Sequence, residues 1–170
     1  RSKASESGVE INTVEADMRD IPFDSKFDAV INIFTALGYF ESDTEDQKVL
    51  DAVSRSLKKG GLALFDLLNR DWVVANHISR EWRTNDKGIM YLEERNWDPI
   101  EGRSHINFKI LGLNVSRTET GHHIQLYVAT EVNNMLKQAG LPLECADGGY
   151  DERPFEISAK RMIIISRKHQ

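Results

Sequence analysis

Three apolar runs near the start of the chain each stop beside a polar side chain that can contact a ligand. The runs are Ile11–Ala16, Asp28–Phe34 and Gly61–Leu68, and the polar residues at their ends are Asp17, Asn32 and Asn69. A carboxylate such as that of Asp17 accepts hydrogen bonds from amino groups, while a backbone N–H donates to a ring nitrogen. Strands that serve only a core have no need of such side chains, so the pattern predicts a binding site.

The elements that must position these residues are predicted to form a β-α-β unit. The second and third runs are nearly continuous in apolar residues, which is typical of parallel strands covered by helices on both faces. Between them, a capping-box pattern at Ser42–Glu45 begins a helix that is predicted to end at Lys58-Lys59-Gly60. The carboxyl ends of parallel strands lie at one edge of the sheet, where ligands bind in such folds.

The order of these motifs resembles the middle of a class I S-adenosylmethionine-dependent methyltransferase. The resemblance is carried by Glu15–Phe23, by Phe27-Asp-Ala-Val-Ile31 and by Leu57-Lys-Lys-Gly-Gly-Leu-Ala-Leu-Phe-Asp66. It implies an α/β fold with a Rossmann-like, mostly parallel sheet. It also implies S-adenosylmethionine or S-adenosylhomocysteine as the cofactor, and transfer of a methyl group to a small-molecule acceptor.

The second half of the chain is predicted to carry an insertion and then return to the sheet. Residues 85–129 are expected to form a three-stranded antiparallel meander with turns at Asp98–Gly102 and Thr118–Gly121. The resemblance implies that this meander is a lid over the substrate. Thr130 is expected to cap a helix, and Leu141–Ala146 and Ala159–Ser166 a final antiparallel hairpin. The predicted division is a core part at 1–70, a lid insertion at 71–129 and a second core part at 130–170.

The resemblance also implies functional roles for particular residues, each of which has a purely structural alternative. The carboxylate of Asp17 and the N–H of Met18 would contact the adenine, although an aspartate here also caps turns. The methionine end of the cofactor and its methyl group would lie against Asn32, Ile33 and Phe34, although burial in a strand explains Ile33 nearly as well. No nucleophile or acid-base constellation is visible, but Asp66 or His77 could serve as a base. The expected substrate contacts, for which packing of the lid is the alternative, are Tyr39, Asn69, Trp72 and Tyr127.

Composition bounds the other possibilities. The 170 residues are 40% hydrophobic and 29% charged, which is typical of one globular domain. A net charge of −5 without a basic run disfavours binding to nucleic acid. No apolar run approaches the roughly 20 residues that span a bilayer, no signal peptide is visible, and Cys145 is the only cysteine, so we expect a cytoplasmic protein. No metal is expected, because the adjacent His122 and His123 point to opposite faces of a strand.

One hallmark of the family is missing from this sequence. The chain has eleven glycines but no Gly-x-Gly, and Arg1–Ser7 reads as the tail of a helix that Gly8 ends. We therefore expect residues 1–170 alone to bind cofactor poorly and to be unstable as a monomer, with a homodimer as one outcome. Two alternatives to an enzyme stay open: a non-catalytic binding module of methyltransferase-like fold, and an incomplete fragment without activity. The helix ending at Gly140 and the final hairpin argue against a nicotinamide-binding domain.

Overall fold

The main sheet of the protein contains four strands in mixed orientation. The computed structural model describes residues 6–112 and 115–169, with only the backbone of residues 115–118. The strands are β1 (Phe27–Asn32), β2 (Leu57–Leu68), β7 (Leu143–Asp147) and β8 (Arg161–Arg167), in the order β1-β2-β8-β7. β1 and β2 are parallel, and β8 is antiparallel to both of its neighbours. The sheet thus contains the parallel pair predicted from the sequence. Only one of its three described pairings is parallel, however, so the expectation of a mostly parallel sheet is not met by the described residues.

Helix α1 (Asp43–Ser56) joins β1 to β2, which completes the predicted β-α-β unit. The hydroxyl of Ser42 accepts a hydrogen bond from the N–H of Glu45 at 3.4 Å, as expected for its amino-terminal cap. The helix ends at Ser56, however, and the prediction of an end at Gly60 is wrong. The reason is a contact with a distant part of the chain. Gly60 has a φ of +73°, and its N–H donates to the carbonyl of Lys168, just after the end of β8. The segment before Gly61 is therefore already part of the sheet.

The core lies on one face of this sheet, under α1 and under α3 (Ala129–Gln138). Alternation along β2 points Ala63, Phe65 and Leu67 toward the helices, and all three are buried. The opposite face carries Leu64 and Ile31, and Ile31 is 68% exposed. The expectation of helices on both faces is therefore wrong for the described part of the chain, which places α1 and α3 on one face.

The predicted strand at Ile11–Ala16 is absent. Residues 9–17 have no regular secondary structure, and Val9, Ile11 and Val14 are each more than half exposed. Alternating apolar residues predict a strand with one apolar face, but they do not determine which strand lies beside it. A strand needs a neighbouring strand to satisfy its N–H and C=O groups. This segment belongs to neither of the two sheets formed by the described strands. Of the predicted helix at Arg1–Ser7, residues 1–5 lie outside the described part, while Gly8 has the expected positive φ of 67°.

A second, fully antiparallel sheet has four strands where the sequence predicted three. Its order is β3-β4-β5-β6, with strands β3 (Arg80–Thr84), β4 (Met90–Asp98), β5 (Arg103–Gly112) and β6 (Val115–Gln125). Thr118–Gly121 lies inside β6 and pairs with β5, so the predicted turn there is wrong. Threonine favours extended backbone, and pairing along the whole of β5 outweighs the local turn pattern.

A short helix follows strand β2, and helix α3 follows strand β6 along the chain. Helix α2 (Arg70–Ala75) follows β2 and is capped by Asn69. Helix α3 begins at Ala129, one residue before the predicted cap Thr130, because the N–H of Val128 donates to the carboxylate of Glu131 at 2.9 Å. The side chain of Glu131 thus satisfies the N–H of the cap residue Val128, while the side chain of Thr130 is not the cap.

Candidate functional site

The segment after β1 has an unusual backbone. Phe34 and Thr35 have φ values of +60° and +56°, a left-handed conformation that residues with a Cβ rarely adopt. Hydrogen bonds from β2 hold it: the carbonyl of Asp66 accepts from the N–H of Thr35 at 2.8 Å, and Thr35 Oγ1 accepts from the N–H of Leu68 at 3.1 Å. The Phe34 side chain is 81% exposed at this edge of the sheet. A strained, held segment with an exposed aromatic ring is typical of a functional site.

The Asp66 carboxylate is buried at the end of β2 and surrounded by donors. It accepts from the N–H of Phe34 at 3.1 Å and from Nε of Arg161 at 2.6 Å. Partial burial and a hydrogen bond to Asp66 raise the pKa of the Tyr150 hydroxyl. Because its oxygens already accept from a cation and from neutral donors, Asp66 is better placed to hold its neighbours than to receive a proton from a substrate. His77, the other predicted base, is exposed beyond the end of α2.

Asp17 lies at the start of the 3₁₀ turn Met18–Asp20 and caps it. Its carboxylate accepts from the backbone N–H of Arg19 at 2.8 Å and from Nη2 of the same residue at 2.6 Å. These bonds lower the pKa of Asp17 to about 2. Arg19 is held in turn by Glu45 and by the ring of Phe40, whose centroid is 4.3 Å from the guanidinium carbon. The plainer role, capping, is thus seen in the structure, and contact with adenine stays a prediction.

Two other predicted cofactor contacts have features that fit a ligand. The Oδ1 atom of Asn32 is buried and accepts no hydrogen bond from a described residue. Such an orphaned acceptor is rare in folded proteins and is satisfied when a ligand supplies a donor. The N–H of Met18 opens the 3₁₀ turn, where the first donors have no partner inside the turn. Ile33 is 37% exposed, so plain burial does not account for it. These groups fit S-adenosylmethionine, which carries both donors and acceptors.

Asn69 joins two parts of the chain. Its side chain is buried, and Nδ2 donates to the carbonyls of Glu156, Ile157 and Ala159 at 3.2, 3.2 and 2.8 Å. Its Oδ1 accepts from the N–H of Asp71 at 3.1 Å and caps α2. All polar atoms of the side chain are therefore occupied within the protein, and its predicted contact with substrate stays a prediction.

Tyr127 joins the end of the second sheet to the start of α1. It is 5% exposed, and its hydroxyl lies 2.9 Å from Oδ1 of Asp43 and 2.8 Å from Oδ2 of Asp46. Burial, and then the charge of Asp46, raise the pKa of Tyr127. Its contact with substrate also stays a prediction, because the hydroxyl is already held between two carboxyl groups.

Tyr39 lies where the second sheet meets the segment after β1. It is 44% exposed, and its ring centroid is 5.6 Å from that of His122, which lies 5.7 Å from that of Phe108. Ile124, two residues after His122 and therefore on the same face, is buried against Gly38. This face of the sheet thus turns toward the core and carries an aromatic cluster. Its strand register, which the sequence did not reveal, decides which side chains join it.

Trp72 lines a cleft between α2 and the loop that joins β7 to β8. The cleft has a volume of about 610 Å³ and is bordered by Trp72, Ala75, Asn76, Glu156, Ile157 and Ser158. A second cleft of about 370 Å³ lies on the same loop beside Tyr150, Lys160 and Arg161. Lys160 connects the two, with Nζ 5.1 Å from the centroid of a Trp72 ring. The sequence analysis missed this loop, although its length between two short strands is a signal of function.

Within residues 6–112 and 115–169, no group of three or more metal-ligating side chains is arranged to hold an ion. In the same part of the chain, no helix is both long and apolar enough to cross a membrane.

Comparison with known proteins agrees with this geometry. Residues 1–61 match a family model described as a methyltransferase domain. A curated relative from Streptomyces venezuelae, dTDP-3-amino-3,4,6-trideoxy-alpha-D-glucopyranose N,N-dimethyltransferase, is 26% identical over 141 residues, which are 79% of this chain and 59% of that protein. The chain spans between 59% and 64% of the length of the curated relatives it matches.

Solved structures share the fold. A S-adenosylmethionine-dependent methyltransferase from Clostridium acetobutylicum superimposes with a TM-score of 0.87 at 17% identity, over 99% of this chain and 69% of that one. The amino pentose methyltransferase of calicheamicin biosynthesis from Micromonospora echinaspora, solved with bound S-adenosylmethionine, gives 0.67 at 15% identity, over 90% and 63%.

The described residues thus have the α/β fold of methyltransferases, with mixed sheets. The resemblance predicted from the sequence is confirmed: the chain has the fold of class I S-adenosylmethionine-dependent methyltransferases, and its first 61 residues match a methyltransferase domain.

Proposed function

We propose that the intact protein transfers a methyl group from S-adenosylmethionine to a small-molecule acceptor. The observation that carries the proposal is the edge of the main sheet, where the orphaned Oδ1 of Asn32 and the exposed ring of Phe34 lie within a segment that matches a methyltransferase domain. Relatives named as an amino-sugar dimethyltransferase and a peptide amino-terminal methyltransferase make amines the first acceptors to test.

The cofactor side of the site is assigned to the 3₁₀ turn and to the end of β1. Asp17 and the N–H of Met18 would hold the adenine, and Asn32, Ile33 and Phe34 would contact the methionine end. When bound, S-adenosylmethionine supplies an electrophilic methyl group on a sulfonium. The residues of this chain contribute alignment of the acceptor and exclusion of water, for which no protein nucleophile is required.

The acceptor side is assigned to the cleft at Trp72 and to the second sheet. A volume of about 610 Å³ is in the range of small-molecule sites. The second sheet would act as the lid, since the face with Phe108 and His122 turns toward the core and meets Tyr39. Tyr150, which borders the second cleft, is a further candidate on the loop between β7 and β8. The division into core parts at 1–70 and 130–170 and a lid at 71–129 belongs to this proposal.

The first test is binding and turnover with the intact protein. Calorimetric titration with S-adenosylhomocysteine should give a saturable signal, and labelled methyl groups from S-adenosylmethionine should appear in acceptors from a panel of amino sugars, peptide amines and hydroxyl compounds. Binding without transfer to any acceptor would favour the non-catalytic module. No binding would overturn the proposal.

A pair of tryptophan variants tests the acceptor side. Trp72→Ala should slow methyl transfer about tenfold and leave the affinity for S-adenosylhomocysteine within about twofold, because the cleft contacts acceptor and not cofactor. Trp82→Ala is the matched control, since Trp82 is 69% exposed on the face of the second sheet that points away from the core. Equal rates for both variants would remove Trp72 from the site.

A further inference from the structure

One carboxylate ties together three segments around the proposed site. Asp66 lies near the end of β2, and its side chain accepts hydrogen bonds from the N–H of Phe34 after β1 and from Arg161 at the start of β8. The side chain of Asp66 is only 2% exposed, whereas that of Phe34 is 81% exposed. The carboxylate is therefore inside the protein, while the aromatic ring is at the surface, where a ligand can contact it.

The backbone of Phe34 needs this support. A positive φ is unfavourable for a residue with a Cβ and persists only where surrounding contacts hold it. Phe34 donates its N–H to Oδ2 of Asp66, and Thr35 donates its own to the Asp66 carbonyl. With an ordinary β conformation at Phe34, the ring would leave its present position at the edge of the sheet. The fixed backbone thus sets the direction of the exposed ring.

The charge of Asp66 is balanced inside the protein. Arg161 donates from Nε to Oδ1 at 2.6 Å, and its second nitrogen contacts the same oxygen. A paired carboxylate keeps its position, and the pair leaves Oδ2 directed at the N–H of Phe34. The arrangement serves geometry rather than proton transfer.

We infer that Asp66 is a positioning residue of the cofactor site, which holds the Phe34 ring where it packs against bound cofactor. The inference rests on the proposed function, which it deepens by assigning to Asp66 a role other than that of a base. Arg161 takes part by holding the carboxylate, and Phe34 is the residue that touches the cofactor.

A double-mutant cycle with S-adenosylhomocysteine as the probe tests this inference on the intact protein. Asp66→Ala and Phe34→Ala should each weaken binding about tenfold. The double variant should bind about as weakly as Phe34→Ala alone, because Asp66 acts through Phe34 and the two effects are then not additive. A carboxylate that merely stabilises the fold would lower the melting temperature without this coupling.

A second variant covers the case in which Asp66→Ala does not fold. Asp66→Asn keeps an oxygen for the N–H of Phe34 but turns an amide toward Arg161, so it should weaken binding by about threefold, and by nothing further when Phe34 is already alanine. Asp28→Ala is the matched control, because Asp28 forms an exposed ion pair with Lys58 at 2.8 Å on the same two strands. Its affinity should equal that of the wild type.

The outcomes separate the inference from the proposed function. Wild-type affinity in the folded Asp66 variants, or losses that multiply with that of Phe34→Ala, would overturn the positioning role while the cofactor assignment stands. A wild-type protein that does not bind S-adenosylhomocysteine would overturn the proposed function, and this inference with it.

Discussion

At the scale of single residues, Asp17 caps the 3₁₀ turn and is also the predicted contact of the adenine. Its bonds to Arg19 hold its pKa at about 2, so it is ionised throughout the neutral range. We expect Asp17→Ala to weaken binding of S-adenosylhomocysteine to the intact protein about tenfold, because a charged acceptor for the adenine amino group is lost. Since the carboxylate stays ionised, the loss should be the same at every pH between about 5 and 8. Calorimetric titration over this range measures it.

Asp20→Ala is the control for Asp17. Its carboxylate lies in the same 3₁₀ turn, is 91% exposed and forms an ion pair with Arg55 at 3.3 Å. This variant should bind as the wild type does. If Asp17→Ala also bound with wild-type affinity, the residue would be a turn cap and nothing more.

At the scale of elements, the contact of Tyr127 with α1 joins the second sheet to the core. The tyrosine hydroxyl has one proton but lies within hydrogen-bond distance of two carboxyl groups. Asp46 is fully buried and also accepts from the N–H of Gly38 at 3.0 Å. Burial raises the pKa of Asp46, and the charge of Asp43 adds to this rise. Hydrogen bonds from Tyr127 and Gly38 and the charge of Arg103 lower the pKa, but the net shift is upward. A protonated Asp46 can donate to the tyrosine, whose own proton goes to Asp43.

This raised pKa predicts a dependence of stability on pH. The folded chain keeps the Asp46 proton to a higher pH than the unfolded chain, whose carboxyl pKa is about 3.9. The stabilisation that this proton gives to the folded chain is therefore complete below about pH 3.9. It is lost as the pH rises through the pKa that Asp46 has in the folded chain. Asp46→Asn should remove this loss, because its amide keeps an acceptor for Gly38 and a donor for Tyr127. Urea unfolding of both proteins across this range gives the difference.

Asp51→Asn serves as the control for Asp46. Asp51 is an exposed residue of the same helix whose carboxylate accepts from Gln47 at 3.0 Å. Its stability curve should follow that of the wild type. Curves for Asp46→Asn and wild type that stay parallel at all pH values would show that Asp46 is ionised in the folded protein.

At the scale of the whole molecule, β1 leaves one edge of the main sheet open. Among the described strands β1 pairs only with β2, and the neighbouring apolar side chains of Ile31 and Phe34 are exposed. Open apolar edges promote association of chains. We expect a polypeptide of residues 1–170 alone to associate, and Ile31→Lys to reduce that association, because charge on an edge strand opposes pairing. Size-exclusion chromatography with light scattering measures both.

Ile100→Lys is the matched control for this edge. Ile100 is 95% exposed in the connection between β4 and β5, which belong to the second sheet and not to that of β1. This variant should associate as the wild type does. A wild-type polypeptide that stayed monomeric at all concentrations would contradict the prediction.

Local patterns were enough to predict part of this molecule from its sequence. The parallel β1-α1-β2 unit follows from two continuous apolar runs and from the cap at Ser42, because those signals lie within the segments they shape. The turn at Asp98–Gly102 and the positive φ of Gly8 are likewise matters of a few adjacent residues. The family resemblance extended this to the class of protein and to candidate residues at the carboxyl ends of the strands.

Only the tertiary structure decided what surrounds those candidates. The sequence marks Asp66 as a strand-end carboxylate, but the partner that balances its charge, Arg161, lies 95 positions away. Asn69 binds carbonyls 87 to 90 positions further on, and Tyr127 reaches Asp46 across 81 positions. The alternating run at Ile11–Ala16 also shows the limit, since it is apolar enough for a strand but joins neither of the two described sheets. Pairing and charge balance depend on which distant segments meet, and no local pattern contains that information.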